Sequence, residues 1–102
     1  MNKRIRVCLE DLREIAVAAG VEDEYLHNND EIIYSTLNGQ KNINEYSYDL
    51  IRPDFEADHE HAVVYLLSFS VINDKIQNVS VGRNGSVLAA IRKMEELGLI
   101  EK

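Results

Sequence analysis

The sequence predicts an α+β fold, a small antiparallel sheet (a hairpin over 62–81 plus a strand near 43–51) packed with N-terminal and C-terminal helices. Three observations carry this. Residues 62–72 form the longest apolar run and end in the alternation Leu67-Ser68-Phe69-Ser70-Val71, the period of a strand. Ile5, Cys8, Leu9, Leu12, Ile15, Ala16 and Ala19 recur at helical spacing, as an amphipathic helix requires. Val87, Leu88, Ile91, Met94 and Leu97 repeat that pattern near the other end. A chain of 102 residues without internal repeats suits one domain, 1–102.

The first helix is expected over 3–19, with Gly20 as its stop. Cys8 falls inside the apolar stripe and reads as a small core residue, while Val7 and Val17 lie off it. Residues 21–29 read as an acidic connector. Asn28-x-x-Glu31 has the form of a capping box and predicts a short helix over 29–37. The strand preference of Ile32–Leu37 competes with that prediction. From 43 to 51, Tyr46, Tyr48 and Leu50 share parity and predict a strand, which Pro53 ends.

Residues 62–72 and 76–81 read as a hairpin across Asn73-Asp74-Lys75. The run Val63–Leu67 is apolar at every position and predicts burial on both faces. A three-stranded sheet with helices on one side leaves the other uncovered, a motive for homodimerisation or partner binding. The last helix is expected over about 86–97, capped by Asn84 or Ser86. Gly98 suits the position after its end, with Leu99 closing onto Met94.

Charge points toward a class of partner. The net charge is −7, and residues 21–60 hold eleven acidic and two basic side chains. Such a surface repels nucleic acid and suits a basic protein. In Asp54-Phe55-Glu56-Ala57-Asp58-His59-Glu60-His61, extended backbone sends Asp54, Glu56, Asp58 and Glu60 to one side. Those four carboxylates, with Tyr46 and Tyr48, are the candidate partner-binding residues. His59 and His61 could begin a metal site, but no third ligand follows at a known spacing. No metal, no cofactor and no catalytic residue is therefore expected. The sequence has no phosphate-binding glycine loop, CxxC pair or HExxH helix.

These features predict a small acidic, non-catalytic protein-binding module, an inhibitor, immunity-type or adaptor protein acting on a basic protein. The alternative rests on a resemblance. The tail from Ser86 to Lys102, with its Leu97-Gly98-Leu99-Ile100 exit, resembles the recognition helix of winged helix-turn-helix regulators. That resemblance implies DNA binding through the 84–98 helix, with contacts from Arg83, Arg92 and Lys93. No run approaches membrane-spanning length, no apolar signal region follows the basic start, and Cys8 is the single cysteine. A cytoplasmic protein is the expectation.

Overall fold

In a computed structural model, which describes residues 7–27, 33–38, 45–58 and 61–100, two helices flank four strands. In chain order they are α1 (Leu9–Ala18), β1 (Ile33–Asn38), β2 (Glu45–Pro53), β3 (Val63–Ile72), β4 (Lys75–Val81) and α2 (Val87–Glu96). The strands pair antiparallel in the order β1-β2-β3-β4. The predicted α+β class, with its N-terminal and C-terminal helices, is what forms.

Both helices lie on one face of the sheet. Leu12, Ile15 and Ala16 of α1 join Ala90 and Met94 of α2 in a single core with Tyr48, Leu50, Leu67, Phe69 and Val71. Residues 67, 69 and 71 alternate with the half-buried Ser68 and Ser70, as a strand covered on one side should.

The hairpin forms by local chemistry. Ile72 pairs with Lys75, leaving Asn73 and Asp74 as a two-residue loop with φ of 52° and 63°. Positive φ at both positions is the type I′ pattern that matches strand twist, and Asn and Asp tolerate it. Further along, Ser68 faces Ser80 and Ser70 faces Gln77. Asn78 and Val79 therefore both stand opposite Phe69, a bulge whose first residue has φ 58°.

A second bulge corrects the expectation for Val63–Leu67. Leu50 pairs with Leu67, but Ile51 pairs with Tyr65, leaving Leu66 as an extra residue. The bulge turns Leu66 and Leu67 both into the core, while Val63 and Tyr65 stay 39% and 55% exposed. The unbroken apolar run thus records a change of phase within one strand, rather than burial on two faces. Gly82 sits beside this bulge and donates its N–H to the Leu66 carbonyl at 3.1 Å. A Cβ on Gly82 would collide with the Tyr65 carbonyl.

Three other local expectations are overturned. The helix predicted over 29–37 is strand β1 from Ile33 onward, paired from Ile33↔Ile51 to Asn38↔Tyr46. Pairing with β2 lets the strand preference of Ile, Tyr and Thr prevail; the capping-box residues Asn28–Glu31 lie outside the described residues. Helix α1 begins at Leu9, with Cys8 extended as its N-cap (φ −98°, ψ 172°). Cys8 is consequently exposed instead of buried in the core. Its N–H donates to the Asp11 carboxylate at 3.1 Å, and Val7 takes the core position instead, its N–H on the Tyr48 hydroxyl at 3.4 Å. On α2, Ala90 and Met94 face the core, whereas Val87 and Leu88 are exposed.

Both helices end by the same device. Gly20 has φ 83° and Gly98 φ 79°. Gly20 N–H bonds Val17 O at 3.0 Å and Val21 N–H bonds Ala16 O at 3.1 Å. Gly98 N–H bonds Glu95 O at 3.0 Å and Leu99 N–H bonds Met94 O at 2.9 Å. Each pair is a Schellman motif. At α2 it joins Leu99 to Met94 through their backbones, as the sequence predicts. A Cβ on Gly98 meets nothing within 4 Å, so only the left-handed backbone is penalised. Gly98→Ala is expected to lower stability by about 1 kcal/mol, and Gly98→Asn by less. The urea midpoint checks this; equal loss in both variants would point to something other than φ.

Candidate functional site

Three turns converge at the end of the sheet where β2 finishes. The first, residues 22–25, is delivered by the Gly20 motif and the buried Val21. The second, 54–58, follows β2. The third, 82–85, joins β4 to α2. Glu22 N–H bonds the Arg83 carbonyl at 2.9 Å, and Ser86 N–H bonds the Ala19 carbonyl at 2.8 Å, tying the first turn to the third. Asp54 N–H bonds the Ala62 carbonyl at 2.9 Å, tying the second to the start of β3.

Between them lies a cavity of about 450 Å³. Its inner anchor is Asp23, whose side chain is 0% exposed. One of its oxygens accepts the Tyr25 N–H at 2.9 Å. Arg52 Nε lies 3.0 Å from that oxygen and 2.8 Å from the other. Arg83 Nε approaches at 3.3 Å from a side chain that is 48% exposed. The Arg52 guanidinium also donates to the Pro53 carbonyl at 2.8 Å. It lies 4.8 Å from the Tyr25 ring centroid and 5.8 Å from that of Phe55, within cation–π range. The two rings meet with centroids 4.8 Å apart. Arg52 stands opposite Val64 in the sheet, at a position where β2 otherwise places Tyr48 and Leu50 in the core. A buried guanidinium there requires a carboxylate, and Asp23 supplies it.

The mouth of the cavity is acidic. Glu22, Glu24, Asp54 and Glu56 line it along with Asp23, against the two arginines. Phe55, 50% exposed, stands among them. A second concavity of about 340 Å³ beside α1 carries charge of both signs, from Glu10, Glu14, Arg13 and Lys93. It lacks the one-sided field of the first.

The residues singled out from sequence are distributed as follows. Asp54 and Glu56 line the mouth, where the Asp54 carboxylate accepts the Glu56 N–H at 3.1 Å. Asp58 is exposed in the same turn. Glu60 and His59 lie outside the described residues. Tyr46 stands opposite Val71 in the sheet, its side chain outside what is described. Tyr48 is a core residue, its ring 5.5 Å from that of Phe69. His61 is exposed, and no group of three or more metal-ligating side chains occurs among the described residues. Of the basic trio, Arg83 engages Asp23 and Lys93 reaches Glu96 at 3.7 Å, while Arg92 is exposed. Helix α2 follows a strand, where a helix-turn-helix places a helix.

Sequence reasoning missed Asp23, Tyr25 and Arg52. Arg52 shares the parity of Tyr48 and Leu50, and that inward-pointing charge was the available signal. No family model, curated protein or solved structure matches the chain. Among the described residues no helix is long and apolar enough to cross a membrane.

Proposed function

We propose that the protein is a small acidic protein-binding module without catalysis, an inhibitor, immunity-type or adaptor protein. Its partner is a basic protein that docks on the mouth formed by residues 22–24 and 54–58. The observation that carries this is the half-exposed Phe55 ring set among Glu22, Glu24, Asp54 and Glu56. An aromatic anchor within a predominantly acidic rim is the arrangement of an interface centre with a steering rim. The core beneath it does not have to be built on binding, because Asp23, Arg52 and Tyr25 already hold the three turns together.

The test is a titration with the partner, recovered by affinity capture and then purified. Asp54→Lys, Glu56→Lys and Asp58→Lys combined are expected to weaken binding by about tenfold or more, mostly through a slower, less salt-dependent association. A partner that binds this variant as tightly as the wild type, or a captured partner that is itself acidic, would overturn the proposal.

A further inference from the structure

We infer that the acidic mouth accepts an arginine side chain of the partner, and that Arg83 occupies its place until that side chain arrives. The inference rests on the reading above and adds what the site recognises and what restrains it.

Asp23 holds its two arginines unequally. Arg52 reaches both carboxylate oxygens, at 2.8 and 3.0 Å, from a side chain only 8% exposed. It is built in. Arg83 makes a contact at 3.3 Å from a side chain half in solvent. Asp23 is buried, but the arginine half of this pair can be hydrated where it stands, so the contact is the weaker of the two and the one that can exchange. The mouth therefore already contains a guanidinium, loosely held, beside a fixed one that displays the preferred surroundings: a carboxylate within 3.0 Å of its Nε and two aromatic rings within 6 Å. A planar guanidinium uses both, whereas a lysine ammonium loses the fork and most of the stacking.

Two further observations fit an exchangeable Arg83. Gly85 N–H bonds the Gly82 carbonyl at 3.0 Å, with φ of 50° at Arg83 and 67° at Asn84. This is again a type I′ turn, in which asparagine or glycine at position 83 would be easier to accommodate. The turn thus does not explain the arginine. Charge provides the other observation. Five carboxylates line the cavity against two guanidiniums, so a third cation enters a field still negative. An incoming arginine would take the Asp23 oxygen and the Phe55 face, and Arg83 would swing into water. Arg83 is a tethered competitor, and its occupancy scales down the apparent affinity for the partner.

The experiment titrates wild type, Arg83→Asn, Arg83→Lys and Phe55→Ala with a fluorescein-labelled peptide of alternating glycine and arginine, and with its lysine counterpart. Wild type is expected to prefer the arginine peptide about tenfold. Arg83→Asn, which also relieves the backbone, should tighten the arginine peptide by about fivefold. Arg83→Lys should fall between, and Phe55→Ala should erase the preference. Thermal melts confirm that each variant is folded. Equal affinity for the two peptides would overturn guanidinium recognition. Unchanged or weaker binding by folded Arg83→Asn would overturn the competitor role. Failure of either peptide to bind any variant would overturn the whole inference, while a partner still sensitive to the Asp54, Glu56 and Asp58 reversals would leave the proposed function standing.

Discussion

Asp23→Ala is expected to lower the unfolding free energy by about 3–5 kcal/mol, the range for removing one partner of a buried ion pair. The loss arises at Arg52. Its side chain is 8% exposed, and a guanidinium cannot shed its proton to escape burial. Without Asp23 it keeps the Pro53 carbonyl and two aromatic faces, none of which carries a compensating charge. Arg83 adds little to the loss, because its exposed half can be hydrated. A folded domain of this size has roughly 5–15 kcal/mol in total, so the variant would stand close to unfolding. Urea denaturation of Asp23→Ala, Arg52→Leu and the double variant reads this directly. The double variant should be more stable than Asp23→Ala alone, since the orphaned charge is gone. A loss below about 1 kcal/mol in Asp23→Ala would mean that the pair is not a structural one.

Phe69→Ala is expected to cost about 3–5 kcal/mol by the cavity it opens. Phe69 is 1% exposed and lies on β3, between β2 and β4. Its ring meets Tyr48 across one strand, and the bulge at Asn78 and Val79 stands opposite it on the other. Neighbours on both sides are held by strand pairing, which limits how far the site can collapse. Phe69→Leu keeps most of the volume and should lose less than half as much. Comparable losses in the two variants, measured by denaturant midpoint at constant slope, would indicate that the ring is not the packing centre.

What the sequence made legible was whatever a short window determines. The type I′ loop at Asn73-Asp74 and the Schellman ends at Gly20 and Gly98 depend on a few neighbours, and each was predictable from residue type. The parity of Tyr48 and Leu50 placed β2, and Pro53 marked its end. Strand β1 was misread because its decisive partner is β2, with Ile33 paired to Ile51, whereas the capping pattern was in plain view. The bulge at Leu66 was hidden because two strands of opposite phase, spliced at an extra residue, look the same as one strand buried on both sides. The candidate site was legible only at its rim. Asp54 and Glu56 could be selected by charge, but Asp23 and Arg52 are 29 positions apart, and no local spacing announces an ion pair at that range. Cys8 shows the same limit at a helix end: its place in the stripe assumed an earlier helix start.

The extra residue at Leu66 also separates two sets of constraints within β3. Beyond it, Leu67, Phe69 and Val71 must alternate to serve the core. Before it, Val63 and Tyr65 face outward, and Val64 lines the cavity at the acidic mouth. The two stretches are out of step by one residue, and each keeps its own alternation. Substitutions at the cavity end can therefore accumulate without propagating a register error into the hydrophobic half. In a chain this small, that insulation lets the lining of the cavity vary while the scaffold stays the same.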